Sequence, residues 1–524
     1  MKRLRYGIPV FVVAWVLLLW MAPPLTSYLT NPDHGYQLSL GRLITLGAFP
    51  FVDLIFHYGP MVALTSAWAL WCSGGLLGET IVCATGYAAA LGCLAEVARA
   101  RAGRIAGFLV PLVGLVFLAR FYKWYFWLFP ALALLLLHRY LARDAEPLRG
   151  LFTAGLTAGL CALYRLDLGV VLLILWCIVA VTGPRGLVQA RFPIAILRVA
   201  VGFAAPVATW LVALAASGGT AALRSYGAAT FDGGRGVVAG WSHGAAPFDA
   251  SHLLSPASAL WIALLVVPLC LLGGLALGSW QSRSAPADPR GDARFLAGAS
   301  LLGIGLLPQA LYRADPHHLL QALPPFLVVA PLLARQLSQE LEARSHGWRH
   351  LGRLAVAAIA LATLLSGIGL RSFGGKDLAP LASNGFERLA DLAAGLTAPK
   401  PRYPISAAMW QLAALTPPDG RILVVPMSSQ IYYFAERPMS GLLNIYAPSI
   451  LSDPFWRERN LEHVREHPPE AILVRSGFVD PESQNARKLR ASFPELEAFL
   501  RSRYTRVAFR RGPWTILQRP EGTG

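Results

Sequence analysis

Apolar runs long enough to cross a bilayer recur through the first 370 residues of this 524-residue chain. A lipid core gives unpaired backbone groups no water, so a run of about 20 such residues must close its hydrogen bonds within itself as a helix. The runs lie near 7–22, 79–98, 105–119, 125–138, 150–164, 168–182, 193–216, 256–278, 295–311, 319–334 and 354–370. They predict an all-α polytopic bundle of about eleven transmembrane helices. Lys2, Arg3 and Arg5 precede the first run, and no small-x-small cleavage site follows it, so it reads as a retained first helix. The shorter apolar stretch 61–73 ends in Ser73-Gly74-Gly75 and reads as a re-entrant or interfacial helix.

An odd number of spans puts the two termini on opposite sides. Arginines alternate accordingly. One set of loops holds Arg99, Arg101 and Arg104; Arg139, Arg143 and Arg149; Arg185, Arg191 and Arg198; Arg283, Arg290 and Arg294; and Arg335, Arg344, Arg349 and Arg353. The opposite loops hold far fewer, among them Arg120, Lys123, Arg165, Arg224, Arg235 and Arg313. By the positive-inside rule the first set is cytoplasmic, so the N-terminus is cytoplasmic and the C-terminal part lies outside, in a multi-pass cytoplasmic (inner) membrane protein.

The net charge of +17 therefore reports topology. No aromatic-basic stripe or zinc spacing points to nucleic acid. The six cysteines, Cys72, Cys83, Cys93, Cys161, Cys177 and Cys270, all sit in hydrophobic segments and read as small buried residues. None lies in the C-terminal part, which must hold together by its own core.

Charge and proline rise after residue 370, which marks the expected boundary between a membrane domain, 1–370, and an extracytoplasmic C-terminal α/β domain, 371–524. In the latter, 422–425 and 471–474 read as short buried strands. Residues 506–509 and 514–517 read as a hairpin around Gly512-Pro513, with helices over 405–415, 457–466 and 485–502. Residues 430–438 read as a helix followed by a turn. Two long outer loops are expected at 27–60 and 217–255. In the first, Tyr36, Leu40, Leu43, Ile44 and Gly47 recur at helical spacing and predict a helix along the membrane surface.

Acidic residues are rare before 370, and the outer ones cluster beside spans: Asp33-His34, Arg165-Leu166-Asp167, and Arg313-Ala314-Asp315-Pro316-His317-His318. Ionisable groups at a membrane boundary need partners or water, so three such clusters on one side point to a polar site, although each alone could be an interfacial anchor or a local ion pair. Lys123-Trp124-Tyr125 reads as an aromatic belt anchor in preference to a sugar platform. Asp232 to Trp241, rich in glycine, reads as a mobile loop, with Trp241 or His243 open to substrate contact.

The first outer loop reads Asp33-His34-Gly35-Tyr36, then Leu46-Gly47-Ala48-Phe49-Pro50-Phe51-Val52-Asp53, then His57-Tyr58-Gly59-Pro60. Over about thirty residues this resembles the GT-C superfamily of integral-membrane glycosyltransferases, of the polyprenyl-phosphate-sugar mannosyltransferase and aminoarabinose-transferase kind. Many members have an acidic pair after the first span, a surface helix, a Gly-x-x-Pro-Tyr-x-Asp stretch and a Gly-Pro. The resemblance implies transfer of a sugar from a polyprenyl-phosphate donor to a lipid, polysaccharide or protein acceptor on the outer face.

By the same resemblance Asp33 matches the first-loop catalytic acid. As a carboxylate it would take the acceptor's hydroxyl proton in an inverting displacement. His34 stands where many members have a second acid. This leaves metal use open: His34 could be a ligand, a partner of the base or a surface residue, and no cofactor is required by the sequence. Arg165, Arg313, His317 and His318 are the candidates for binding the donor phosphate. Asp53, Asp167 and Asp315 are supporting or acceptor-binding candidates, with a loop cap an equal reading of Asp53. A lipid transporter or flippase would carry charges at mid-span and two-half symmetry. Here the acids sit at span ends and no such symmetry is seen. A non-catalytic envelope assembly protein is the third reading.

Overall fold

The computed structural model describes residues 6–23, 28, 32–73, 75–117, 120–142, 147–182, 192–240, 256–284, 291–312, 316–344, 385–394, 404–425, 428–446, 454–475 and 493–520. The chain is mostly helical with one small sheet. The described residues include four helices long and apolar enough to span a membrane: Leu76–Ala102, Phe121–Leu141, Phe192–Phe231 and Ile262–Arg283. Shorter apolar helices accompany them, including Gly7–Trp20, Arg104–Leu115 and Leu166–Thr182. This is a multi-pass membrane protein. The expected span at 354–370 lies outside the described residues.

The chain folds as two compact units, each assembled from distant segments. The first takes residues 1–21, 81–209 and 242–385. Its helices are α1 (Gly7–Trp20), most of α4 (Leu76–Ala102), α5 (Arg104–Val116), α6 (Tyr125–Leu141), α7 (Pro147–Tyr164), α8 (Leu166–Thr182), the start of α9 (Phe192–Gly240), α10 (Pro256–Ser284), α11 (Asp292–Tyr312), α12 (Pro316–Gln321) and α13 (Leu323–Arg344). Outward-facing Ile8, Val12, Val13 and Val16 on α1, and Ile105, Phe108 and Leu112 on α5, leave apolar surface that suits lipid.

Glycines set how close these helices come. Gly155 and Gly159, four apart on α7, meet α9. A Cβ at Gly155 would lie 2.1 Å from the Val199 carbonyl oxygen, and one at Gly159 would lie 2.3 Å from that of Phe203. Gly202 reciprocates, 2.3 Å from the Phe152 oxygen. In lipid, where apolar burial drives helices together weakly, such backbone approach supplies the packing energy. α1 lies against α4 through Gly7 and Gly92, and the Gly7 N–H donates to Glu96 Oε2 at 3.1 Å.

Arg101, expected in a cytoplasmic loop, is instead paired with Asp292 inside the protein. Arg101, 2% exposed, donates to Asp292 Oδ1 at 2.8 Å and to His138 Nδ1 at 2.9 Å. Arg335 donates to the Arg101 carbonyl. These contacts tie together α4, α6, α11 and α13.

The second unit takes residues 22–80, 210–241 and 386–524. The C-terminal segment thus folds with the first expected loop and with the chain that follows the span near 193–216. Its sheet has the order β1-β2-β4-β3, with β1 (Ile422–Val425), β2 (Ala471–Arg475), β3 (Arg506–Arg511) and β4 (Trp514–Gln518). Helices α14 (Gly385–Ala394) and α15 (Pro404–Leu415) precede β1; β1 and β2 are parallel, joined through α16 (Gln430–Ala435) and α17 (Pro454–Glu466), while β3 and β4 form the expected hairpin around Gly512. β1 is buried throughout, as its unbroken Ile-Leu-Val-Val run requires.

Two expectations change here. The helix predicted to lie on the membrane surface, α2 (Pro32–Thr45), is enclosed by protein: Tyr36, Gln37, Leu38, Ser39, Leu40 and Leu43 are all buried. It packs on α3 (Pro60–Ser73) and on α16. Glycine permits this, since a Cβ at Gly35 would lie 2.2 Å from that of Gln430, and one at Gly41 would lie 2.7 Å from Ser66 Oγ. α3 instead keeps exposed tryptophans, Trp68 at 58% and Trp71 at 78%, as an interfacial helix would. The expected loop 217–255 begins as helix: α9 breaks at Gly219 (φ 61°) and continues to Gly240.

Candidate active site

In the first unit, three segments far apart in sequence meet around the start of α6. Residues 121–123 form a short 3-10 turn that leads into the helix. Gly86 leaves room for Trp124, whose ring would lie 2.3 Å from a Cβ there. Trp124 and Tyr125 both pack on Tyr164 at 5.3 Å between ring centres. Lys123, Trp124 and Tyr125 are buried in protein, so the belt-anchor reading of this tripeptide is corrected. A belt residue would face headgroups, whereas these rings fill the space between α6 and α7.

Arg165 follows Tyr164 at the turn between α7 and α8. Its guanidinium grips Asp167 bidentately, with Nε–H to Oδ1 at 3.0 Å and Nη2–H to Oδ2 at 2.7 Å. Gln309 of α11 donates to the same carboxylate. Arg165 Cζ lies 5.3 Å from the centre of the Phe126 ring, and Lys123 Nζ lies 5.8 Å from the same ring. Two cations thus address one aromatic ring, a contact favoured by its quadrupole. On the other side of α6, Trp127 Nε1–H donates to the Leu320 carbonyl at 2.9 Å. That bond ties α6 to α12, which carries His317 and His318. His318 is half-buried. Arg313, Asp315 and the His317 side chain lie outside the described residues.

Asp167, expected to support a site, orients Arg165. Lys123, read from sequence as part of a belt anchor, stands beside Arg165 at the Phe126 ring. The available signal was a lysine directly before an aromatic run at a helix start.

The second unit holds the other candidates. Asp33 sits in the first turn of α2, and its side chain lies outside the described residues. His34, 3% exposed, stacks on Tyr28 with 4.3 Å between ring centres. One turn on, Gln37 donates to buried Glu79 at 2.8 Å, and Tyr28 shares a 2.8 Å hydrogen bond with Thr80. Asp53 is exposed and ties its own loop: its Oδ2 accepts the Phe49 N–H at 2.9 Å, and its N–H donates back to Phe49 at 3.0 Å. That is a loop cap. The expected contact residues Trp241 and His243 lie outside the described residues, as do the side chains of 232–240.

The first loop and the C-terminal segment are stitched together within this unit. Ile55 pairs with Leu443 as an isolated bridge, Asn444 donates to Ser39 Oγ at 2.8 Å, and Arg42 donates to Glu436 at 2.7 Å. Tyr433 lies under Arg42, 5.2 Å from Cζ to ring centre. Burial pushes the Tyr433 phenol up to about 12, against the opposing pull of Arg42, so it stays a protonated donor at neutral pH.

No protein-family model matches the sequence, and neither does any curated protein. Solved structures do match. The ArnT structure from Cupriavidus metallidurans bound to undecaprenyl phosphate superposes with a TM-score of 0.54 at 12% identity, covering 98% of each chain. This chain has the GT-C fold. The apo structure of the same ArnT gives 0.48 at 13% identity, covering 98% of this chain and 96% of that one. The Archaeoglobus fulgidus oligosaccharyltransferase AglB, in complex with an inhibitory peptide and a dolichol-phosphate, gives 0.45 at 11% identity, covering 95% and 72%. At 12% identity the match to the undecaprenyl-phosphate-bound ArnT speaks to the fold alone.

Proposed function

We propose that the protein is an inverting glycosyltransferase that moves a sugar from a polyprenyl-phosphate carrier to an acceptor on the outer face of the cytoplasmic membrane. The observation that carries this reading is the end-to-end GT-C fold, shared with a protein solved bound to undecaprenyl phosphate. The proposed topology has eleven spans, a cytoplasmic N-terminus and an extracytoplasmic C-terminal segment.

Asp33 is the proposed general base. It would accept the proton of the acceptor hydroxyl as that oxygen attacks the anomeric carbon, opposite the departing phosphate. Arg165, Arg313, His317 and His318 would bind the donor phosphate, and Lys123 joins them. The supporting geometry is the pair of cations at Phe126. Arginine suits a lipid phosphate because its fork offers paired donors, and the dry interface strengthens their charge. Asp167 would hold Arg165 in place, and Asp53 would shape the first loop. His34 and Asp315 would serve the acceptor side, with His34 also available to a divalent metal. The acceptor is a lipid, polysaccharide or protein.

The test is transfer of labelled sugar from a panel of polyprenyl-phosphate donors by protein in detergent, with no sealed membrane. Turnover there separates an enzyme from a flippase, which needs two compartments. Failure with every donor in the panel would remove this reading.

A further inference from the structure

We propose that the C-terminal end of α17 is a binding site for one zinc-class divalent ion, held by His463, Glu466 and His467. These residues are outside every segment used above for glycosyl transfer. They read His463-Val464-Arg465-Glu466-His467. His463 and Glu466 stand three apart on α17, and His467 is the residue just past its end, its N–H still donating to the His463 carbonyl at 2.9 Å, so the three side chains are set as paired histidines on a helix are when they meet a metal. One ligand atom from each residue lies within 4.8 Å of the other two. Ligands at about 2.0–2.2 Å from zinc are roughly 3.3 Å apart in a tetrahedron, so small side-chain rotations close the set.

The local structure orients the imidazole pair. The two rings lie 4.4 Å apart between centres. His467 Nδ1 is 3.3 Å from the His463 carbonyl oxygen, so as a donor there it leaves Nε2 as the lone-pair nitrogen. A hydrogen bond of that kind to the far ring nitrogen is a common support for a metal-bound histidine. The site ends a helix, where the carbonyl dipoles favour a cation.

The helix is anchored. Asn460, fully buried, accepts the N–H groups of Leu442 and Leu443 at 2.8 and 3.2 Å. Leu461 and Val464 are also buried. Glu466 is exposed and His463 and His467 are half-buried, so the ligands have an open approach.

The surrounding charges decide which ion fits. Asp53 acts on His463 as an attractive charge, while Arg421 and Arg459 oppose it. With one carboxylate among the three ligands and arginines nearby, attraction by net charge is weak. Binding must come from imidazole nitrogen, which selects zinc and its neighbours over magnesium or calcium. Three protein ligands leave a fourth position for water.

The test titrates ZnCl2 into the full-length, EDTA-stripped protein in detergent, read by calorimetry and by thermal unfolding. The wild type should take up one equivalent at this site, with a rise in Tm and no response to MgCl2. The double variant His463→Asn/His467→Asn should lose that equivalent. Glu466→Gln, at an exposed position, should weaken binding by about tenfold and keep the metal-free Tm unchanged. Circular dichroism without metal checks that each variant is folded. If the double variant does not fold, Glu466→Gln and His467→Asn decide the matter. Zinc uptake with equal affinity and stoichiometry in folded variants and wild type, or no uptake by the wild type at 100-fold molar excess, overturns the proposal.

Discussion

At the scale of single residues, the account rests on charges held where lipid or protein would normally exclude them. Arg165 is aimed by two hydrogen bonds to Asp167 and shares the Phe126 ring with Lys123. If that wall receives the donor phosphate, Arg165→Ala should lower kcat/KM by about 100-fold, the value of roughly 3 kcal/mol for a lost charge-assisted bond. Arg165→Lys should not restore it, because one ammonium cannot span both Asp167 and a phosphate. Steady-state kinetics on both variants check this. Arg101 makes a different prediction. Truncating it leaves half-buried Asp292 and His138 without their guanidinium partner, so Arg101→Ala should destabilise the protein by about 1–3 kcal/mol without a specific effect on donor KM. Thermal unfolding in detergent reads it. Arg165 stood out in sequence because arginines are scarce in the loops expected outside. Lys123 was not, because a cation before aromatic residues has the composition of a membrane belt. Only burial separates the two cases.

At the scale of elements, glycine governs what can pack. α7 meets α9 through Gly155 and Gly159 with backbone in contact. Gly155→Val would place methyl groups where the Val199 carbonyl now stands, so this pair of helices must separate. We expect poor accumulation of folded protein and a Tm lower by several degrees, seen in size-exclusion profiles and thermal unfolding; Gly150→Ala, with its nearest neighbour 3.9 Å away, should behave as wild type. The sheet strands were readable from their short apolar runs, and their pairing follows from them. The setting of α2 was not. Its apolar stripe predicted a surface helix, yet it is enclosed because Gly35 admits Gln430, a partner 395 positions later in the chain. Periodicity reports which face is apolar and is silent on what covers it. His34 and Gln37 show the cost of that silence, being polar residues buried on the same helix.

At the scale of the whole molecule, the recurrence of long apolar runs already announced a polytopic bundle. The arrangement into two units, each drawn from three separated segments, was beyond sequence because it depends on non-local contacts. The first loop and the C-terminal segment form one unit through Ile55–Leu443 and Ser39–Asn444, so the residue proposed as base stands on an element braced by the far end of the chain. The central claim is that Asp33 works as that base in sugar transfer from a lipid phosphate. Its most direct test is the rate of labelled-sugar transfer from polyprenyl phosphate by wild type and Asp33→Asn in detergent, with matched size-exclusion profiles. The account predicts measurable wild-type turnover and a loss of about 1000-fold in the variant, the scale of a removed general base. Near-full activity in a folded Asp33→Asn protein would contradict it.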